Sequence, residues 1–328
     1  MNIFFKIKHY LFLYFSRGMN YGVHKSEKIE LNYWVCGYRK NIESGKWQIE
    51  NGIPLGLYTR QLNAPLAQRV HISGLCEYCF ALIERNEVDK TDRVVDFLST
   101  NLVRDYIEQD NIPYAYWKTY HDKSLENYYV HGMGQGQLLS LLTRMYLYGG
   151  QTELHTLILE VSNSYLVDFQ HKNGFVIDEK EVVFLEEYPR SQNLMKHVLN
   201  GWIYSALGLS DYISYMEITG YEDKFLNDKK RILKCTIATL ETKLPEYNLG
   251  FWSLYNLPKS YKNICSIHYQ EQHVVLLHAL FLVSGNSVFE EYSTKFKAQY
   301  RNIFFRFYSL VIKVFIANIL KYKRIYKK

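Results

Sequence analysis

Two short stretches, EEYP at residues 186–189 and VLNG at residues 198–201, carry most of the information about the fold. Pro189 disfavours helical geometry at Tyr188, so the acids and the phenol lie in an extended or turn conformation. The preceding residues 181–185 (EVVFL) favour a strand, and the residues after 198 favour a helix. Carboxylates and a phenol are therefore predicted at a strand-to-helix boundary, where side chains can point into a cleft. A solvated surface turn is the alternative.

Helical patterning extends on both sides of this boundary. Apolar periodicity predicts helices over 66–86, 91–108, 134–148, 152–169, 197–217, 223–243, 270–284 and 287–300. A β-hairpin is predicted at 174–189, an extended aromatic segment at 249–257, and short strands and turns at 20–62. Long helices joined by loops with polar, Gly-containing motifs indicate a mainly α fold: an α/α toroid, a complete or incomplete (α/α)6 barrel, with short β-hairpin insertions. A helical solenoid would give a similar periodicity, but the sequence has no fixed repeat unit.

Charge is distributed unevenly along the chain. The formal net charge is +6, but residues 301–328 contain eight Lys or Arg and no acid, and the rest carries 31 basic and 33 acidic residues. This near-neutral body gives no support to nucleic-acid binding. We predict three parts: an apolar, basic and irregular segment at 1–60, a toroid domain at 61–300, and a basic amphipathic helix at 301–328.

The five cysteines do not form a recognisable site. An odd number argues against a fold built on disulfides. Cys76 and Cys79 form a single C-x-x-C in a helical run, with no second Cys or His pair nearby, so buried thiols are expected rather than zinc. No metal and no cofactor are predicted.

The last segment has a composition of its own. On a helix, Asn302, Arg306, Ser309 and Lys313 share one stripe, and the remainder of 303–320 is apolar. A basic stripe beside a broad apolar face is typical of a helix lying in a membrane interface, and the basic cluster at 321–328 adds attraction to anionic lipid. We predict a cytoplasmic protein attached peripherally to an anionic inner membrane surface. Packing on the body and spanning the membrane are the alternatives.

Four segments carry chemically capable residues. They are HGMGQGQ at 131–137, EEYP at 186–189, GFWSLY at 250–255 and HYQEQH at 268–273. The G-x-G in the first lacks a β-α-β context, so small residues there are expected to allow close approach of a loop or a sugar rather than to bind phosphate. The 30 tyrosines provide flat apolar area with polar tips, which suits a cleft for carbohydrate.

In this order the motifs resemble the C-terminal catalytic region of D-glucuronyl C5-epimerases. The matching blocks are MGQGQ at 133–137, EEYP at 186–189, the block from Val198 to Asp211, LPEY at 244–247, and Tyr269 four residues before His273. The similarity runs from roughly residue 110 to residue 300. It implies an α/α toroid acting on a glucuronate-containing polysaccharide or lipid-linked glycan, with inversion of D-glucuronate to L-iduronate at C5.

The resemblance also implies roles for individual residues. Glu187 and Tyr269 would form the acid/base pair, with Tyr188 as a further catalytic residue. Removing the C5 hydrogen, which is α to a carboxylate, builds an enolate-like state that needs a base, an acid on the other face and donors to the carboxylate. The implied substrate-binding residues are Tyr255, His273, Gln135, Asn200, Lys259 and Trp252. For Gln135 and Asn200, loop support is an equal alternative.

Two departures from the family pattern concern the substrate. The family has a basic residue shortly after the tyrosine matched by Tyr255, whereas residues 256–259 here read NLPK, so Lys259 or another cation must hold the substrate carboxylate. The family's His directly after the second tyrosine is Gln270 here. A polysaccharide lyase, which abstracts the same hydrogen and then eliminates the 4-linked sugar, and a non-catalytic glycan-binding or assembly protein are the rival interpretations. A homodimer is compatible with each of these interpretations.

Overall fold

The computed structural model describes residues 14–15, 19–24, 31, 33–38, 42, 47–55, 64–108, 111–120, 128–189, 196–257 and 262–325, with side chains described as far as residue 314. The helices are α1 Leu66–Arg69, α2 Ile72–Glu84, α3 Asp92–Asn101, α4 Gly132–Gly149, α5 His155–Asn163, α6 Leu199–Thr219, α7 Leu226–Lys243, α8 Ile267–Ser284, α9 Ser287–Arg301 and α10 Ile303–Ile325. Short 3-10 turns cover Val88–Thr91, Thr152–Leu154, Ser164–Leu166 and Leu244–Tyr247.

The strands in this part of the chain form two-stranded antiparallel hairpins between the helices. The pairs are β1 Gly22–His24 with β2 Trp34–Cys36, β3 Gln48–Glu50 with β4 Ile53–Leu55, β5 Val103–Ile107 with β6 Ile112–Tyr116, β7 Lys118–Tyr120 with β8 Tyr128–Val130, β9 Val176–Glu179 with β10 Val182–Leu185, and β11 Leu254–Asn256 with β12 Asn263–Ile264. No strand joins a larger sheet among the described residues, so the helices carry the architecture.

The helices alternate between two kinds along the chain. Helices α2, α4, α6 and α8 are buried around most of their circumference, and each contacts the next in the series. Helices α3, α5, α7 and α9 bury one face and expose the other. A helix that is apolar on all sides belongs inside, and an amphipathic helix belongs outside. The result is an inner layer wrapped by an outer layer, the mainly α toroid that the sequence predicts.

Glycine packing sets the two central inner helices side by side and parallel. A Cβ on Gly208 would lie 2.1 Å from the Gly136 carbonyl oxygen, and a Cβ on Gly136 would lie 2.5 Å from the Ser205 Cα. The first turn of α2 joins the same end, because a Cβ on Gly134 would lie 2.2 Å from Ile72 Cγ2. The amino-terminal turns of α2, α4 and α6 therefore meet at one end of the toroid.

A buried polar network ties these helices together further along their length. The Asp211 carboxylate of α6 accepts hydrogen bonds from Ser140 (2.6 Å) and Arg144 (3.0 Å) of α4 and from the Tyr33 hydroxyl (3.0 Å). The guanidinium of Arg144 lies 5.0 Å from the centroid of the Trp34 ring in β2. The network therefore attaches the amino-terminal hairpin to the two central helices.

The β1–β2 hairpin also connects the first inner helix with the last. The Gly37 N–H donates to Glu84 Oε1 of α2 (3.0 Å), and the Tyr21 N–H donates to Glu271 Oε1 of α8 (2.7 Å). The ring of Trp34 packs edge-on against Phe80 of α2. The hairpin thus bridges the gap between α2 and α8.

Two of the predicted helices differ from those observed. The helix predicted at 66–86 is interrupted at Val70 and His71, which have extended backbone. The helix predicted at 91–108 is wrong in its last part, because residues 103–107 form β5, paired with β6. Within β5, Val103, Asp105 and Ile107 are half-buried and Arg104 and Tyr106 are exposed. This alternation, together with the β-branched and aromatic residues, suits a strand at the edge of a hairpin. Cys76 and Cys79 are free and buried, as predicted.

Helix α10 packs on the body through its polar stripe. Arg306 is only 8% exposed and donates to the carbonyl oxygens of Tyr300 and Tyr14. Lys313 donates to the Ile264 carbonyl (2.7 Å), and burial lowers its pKa. The basic stripe therefore faces the body, where these carbonyl oxygens accept its N–H groups. Among the described residues no helix has the length and apolarity needed to cross a membrane.

Candidate active site

Residues 186 and 187 cross the amino-terminal ends of α4 and α6, and glycines make room for them. A Cβ on Gly132 would lie 2.2 Å from the Glu186 carbonyl oxygen, and a Cβ on Gly201 would lie 2.2 Å from Glu187 Oε2. The Gly132 N–H donates to the Glu187 carbonyl oxygen (3.3 Å). Any larger residue at either position would displace the Glu187 segment, so the glycines of the two motifs serve the placement of this carboxylate.

Groups of positive electrostatic potential lie around Glu187. Its carboxylate, 3% exposed, lies at the amino terminus of α6, where the helix dipole is positive. His131 Nδ1 accepts the Gly134 N–H (3.0 Å), so the ring proton resides on Nε2, which lies 3.4 Å from Glu187 Oε1. Glu187 Oε2 has no hydrogen-bond partner within the described part of the chain. Glu187 Oε2 is therefore an acceptor atom without a donor, in a buried position of low dielectric constant.

Three tyrosines lie above this carboxylate and are partly exposed, whereas Glu187 is buried. The charge of Glu187 acts on the hydroxyls of Tyr188, Tyr255 and Tyr269 and raises the pKa of each. The rings of Tyr255 and Tyr269 have centroids 4.8 Å apart. Glu187 and Tyr269, 82 positions apart in sequence, therefore belong to one cluster of polar side chains.

Each of the three phenols remains protonated near neutral pH. Burial, followed by the charge of Glu187, raises the pKa of Tyr188 and that of Tyr255 far above the ordinary value. The same two causes raise the pKa of Tyr269 to about 12, although its hydrogen bond with Tyr255 works in the opposite direction. A carboxylate that accepts a proton and phenols that donate one can together perform proton transfer on both faces of a bound ring.

The two adjacent acids of the 186–189 stretch have separate functions. Glu186 is buried and turns away from the tyrosines: its carboxylate pairs with His197 Nδ1 and accepts the N–H groups of Lys196 (3.4 Å) and His197 (3.3 Å). It therefore anchors the loop before α6. Only Glu187 faces the cleft, a distinction that adjacency in sequence could not make.

Gln135 and Asn200 occupy supporting positions at this end of the toroid. The Gln135 amide donates to the Ala115 carbonyl (2.7 Å) and to Ser164 Oγ (3.2 Å), and its oxygen accepts the Trp117 N–H (3.4 Å). These contacts favour loop support over contact with a sugar. Asn200 donates to Met133 Sδ (3.4 Å), and its Oδ1 has no partner within the described residues, so a ligand contact there stays a prediction.

Trp252 and His273 fasten the segment that carries Tyr255. The Trp252 indole is fully buried and donates to the Cys265 carbonyl (3.2 Å). His273 Nδ1 lies 2.7 Å from Ser253 Oγ, and Gln270 Oε1 accepts from both the N–H (2.9 Å) and the hydroxyl of Ser253 (2.6 Å). Trp252 and His273, both predicted to bind substrate, hold β11 against α8 in this structure. They therefore fix the position of Tyr255.

Three residues remain to be described: Lys259, His131 and Lys196. Lys259 lies outside the described residues, so its predicted role is untouched. The sequence analysis included His131 in the HGMGQGQ segment but gave it no role, although its ring faces both Glu187 and Tyr188. It missed Lys196, whose Nζ lies 5.4 Å from the centroid of the Tyr188 ring. Lys196 belongs to no recognisable sequence motif, which is why the sequence did not reveal it.

The carboxylate and the phenols lie together beside the amino-terminal ends of the inner helices, an arrangement that can transfer protons on a bound ligand. The sequence model of the family described as "D-glucuronyl C5-epimerase C-terminus" matches residues 108–298, more than half of the chain. The chain belongs to this family.

A solved structure with some similarity is that of cellobiose 2-epimerase from Bacillus thermoamylovorans B4167. It is 12% identical in sequence, with a TM-score of 0.44, over 69% of this chain and 57% of that chain. The match therefore spans little more than half the length of that enzyme.

Replacing Gly201 by Ala is expected to reduce turnover strongly while leaving the protein folded. The added methyl group would lie 2.2 Å from Glu187 Oε2 and must push the carboxylate out of place. A misplacement of about 1 Å in a catalytic group can cost about 100-fold in rate. Gly149→Ala is the matched control, because the nearest atom to its Cβ, Val88 Cγ1, lies at 3.4 Å. Equal C5 exchange rates in the two variants would contradict this placement of Glu187.

His273 is expected to make the fold sensitive to mild acid. Burial lowers its pKa to about 3, far below the ordinary value of 6.5. Its contribution to stability is therefore present above pH 6.5 and is lost as the pH falls toward 3, because the unfolded chain binds the proton first. Between about pH 7 and pH 4.5 urea unfolding should show a loss of about 2–3 kcal/mol that His273→Asn does not show. Parallel curves for the two proteins would exclude this role.

Proposed function

We propose that this protein inverts C5 of D-glucuronate residues, giving L-iduronate, in a polysaccharide or lipid-linked glycan. Membership of the family supports the reaction class. The observation that carries the proposal is the cluster that the Glu187 carboxylate forms with the phenols of Tyr188, Tyr255 and Tyr269. It supplies a proton acceptor and proton donors in one cleft.

The proton that leaves C5 passes to Glu187 by way of Tyr188. Glu187 is only 3% exposed, whereas the adjacent Tyr188 is partly exposed and lies within range of its charge. Free tyrosinate at position 188 is strongly disfavoured, because burial and Glu187 raise its pKa. The Tyr188 oxygen therefore takes the C5 proton as its own proton moves to the Glu187 carboxylate. The electron pair of the C–H bond enters the substrate carboxyl group as an enolate.

Tyr269 returns a proton to the opposite face of the ring. With its pKa raised to about 12, it is a phenol at working pH and has a proton to donate. As this proton bonds to C5, the electron pair flows back from the enolate and Tyr269 becomes a phenolate, to which Tyr255 can donate a hydrogen bond. Exchange with solvent and return of the Glu187 proton then restore the starting state.

Incubation of glucuronate-containing polymers with the protein in deuterated water tests this reaction. The expected result is deuterium at C5 and new iduronate signals in the NMR spectrum, without a rise in ultraviolet absorbance. A rise in absorbance would indicate an unsaturated uronate and hence a lyase. Binding without any exchange would indicate a non-catalytic glycan-binding protein and would overturn the proposal.

We further propose that the protein attaches peripherally to an anionic membrane surface through the outer face of α10. Large apolar side chains lie exposed along it, Phe304 at 79% and Phe307 at 57%, followed by Tyr308, Val311 and Val314. These positions share one face of a helix, and a contiguous apolar face of this kind marks an interaction surface. Apart from the inward Arg306 and Lys313, residues 301–328 contain six basic residues and no acid. These charges favour an anionic partner and oppose pairing of two copies through this face.

Flotation with vesicles of phosphatidylcholine and phosphatidylserine tests the attachment. Wild-type protein should float with the anionic vesicles at low salt, and the double substitution Phe304→Ser and Phe307→Ser should stay at the bottom. Val182→Ser, which removes an apolar side chain that is 41% exposed on β10, is the control and should float like wild type. Equal flotation of all three proteins would exclude the α10 face.

A further inference from the structure

We infer that Lys196 holds the carboxylate of the substrate uronate during proton transfer. This inference rests on the proposed function and deepens it, because it assigns the cation that an enolate-forming site requires. Three features of the fold support it: the position of the Lys196 main chain, the direction of its side chain, and the engagement of the neighbouring His197 elsewhere.

The main chain of Lys196 lies beside the segment that follows Tyr255. Its carbonyl oxygen accepts the Leu257 N–H (2.9 Å), and the next pair, Val198 and Asn256, forms an antiparallel bridge. The D-glucuronyl C5-epimerases have their basic residue shortly after the tyrosine matched by Tyr255. In this chain NLPK at 256–259 follows there, and Lys259 lies outside the described residues. Lys196 supplies a positive charge from the adjacent backbone, close to the same place.

The side chain of Lys196 points toward the tyrosine cluster. Its Nζ lies 5.4 Å from the centroid of the Tyr188 ring, within the range of a cation–π contact. Lys196 forms no ion pair with any acid of the described ranges, and it is partly exposed. Its ammonium is thus at the side of the cleft where the proton leaves C5, and it is available to an incoming anion.

The neighbouring charged groups are engaged in other contacts. His197 pairs through Nδ1 with the buried Glu186 and stacks on Phe184, with ring centroids 4.2 Å apart. Glu186 also accepts the backbone N–H of Lys196 (3.4 Å), which fixes the Lys196 main chain without using its side chain. His131 faces Glu187. Among these residues Lys196 is the one whose charge is free for the substrate.

The chemistry explains why a cation is needed at this place. The substrate carboxylate carries one negative charge, and removal of the α proton adds a second that is shared between the same oxygens and C5. An ammonium group placed before the reaction starts stabilises this developing charge more than it stabilises the ground state. It also distinguishes a uronate from a neutral hexose, so Lys196 would determine specificity as well as rate.

Substitutions at position 196 test the assignment by C5 deuterium exchange. Lys196→Met is expected to lose about 100-fold or more in kcat/KM on a glucuronate polymer, in line with the loss of one charge-stabilising group. Lys196→Arg should recover a large part of this loss. Lys234→Met, which removes an exposed lysine of α7, is the matched control and should equal wild type. Exchange by Lys196→Met within threefold of wild type would overturn the inference.

Binding measurements separate a failure of this inference from a failure of the proposed function. In the Glu187→Gln background, Lys196→Met should weaken binding of a glucuronate polymer and leave binding of the same polymer after carboxyl reduction unchanged. Equal weakening toward both polymers would show a merely structural effect and would refute a carboxylate contact. If the wild-type protein catalyses no exchange, the reaction is refuted, and the binding comparison still decides the role of Lys196.

Discussion

Replacing Glu187 by Gln is expected to lower the rate of C5 deuterium exchange by about 10²–10⁴-fold, the usual cost of losing a group that takes part in general acid–base catalysis. Gln has the same shape but cannot accept the proton that Tyr188 passes on. Because burial and Glu187 together keep Tyr188 protonated, Tyr188 needs a carboxylate to which it can pass its proton. Exchange of deuterium into the polymer, followed by NMR, gives the rate, and circular dichroism reports whether the fold is retained.

Tyr269→Phe is the companion variant on the other face of the sugar. It should keep removal of the C5 proton measurable as loss of a C5 deuterium label from labelled substrate, but it should block formation of iduronate. Tyr106→Phe, at an exposed tyrosine of β5, is the control and should behave as wild type. Retention of full epimerisation in both Glu187→Gln and Tyr269→Phe would remove the basis of the proposed mechanism.

Asp211→Ala is expected to cost about 3–5 kcal/mol of unfolding free energy, because it leaves the Arg144 guanidinium buried without its counter-ion. The melting temperature should fall by roughly 10 °C. Lys295→Ala, which breaks the exposed pair with Glu291 on α9, is the matched control and should leave the melting temperature unchanged. Calorimetry on the three proteins measures the difference.

The double variant Arg144→Met with Asp211→Leu should recover most of that loss. Burial raises the pKa of Asp211 in spite of Arg144, so desolvation outweighs the attraction within the pair. Removing both charges therefore removes the desolvation cost as well. If the double variant were as unstable as Asp211→Ala alone, shape or the Ser140 and Tyr33 contacts, rather than an uncompensated charge, would account for the loss.

The sequence alone was sufficient for the secondary-structure class. Helical periodicity and glycine-bounded loops led to the α/α toroid, because a helix must bury its apolar side whatever its partner is. The family resemblance implied that Glu187, Tyr188, Tyr255 and Tyr269 share a site. The fold places the three phenols within range of the charge of Glu187, and their catalytic roles stay a proposal. Residues 103–107 were assigned to a helix because a short apolar run does not distinguish a helix end from a hairpin strand.

Only the tertiary structure decided how individual polar residues are used. Which of Glu186 and Glu187 faces the cleft depends on where Gly201 leaves room and where Lys196 and His197 present their N–H groups. The same holds for α10: the stripe of Arg306, Ser309 and Lys313 faces the body, because carbonyl oxygens of other segments accept hydrogen bonds from Arg306 and Lys313. Periodicity reports what an element must bury on average, whereas a buried polar group goes where a partner from another part of the chain lies.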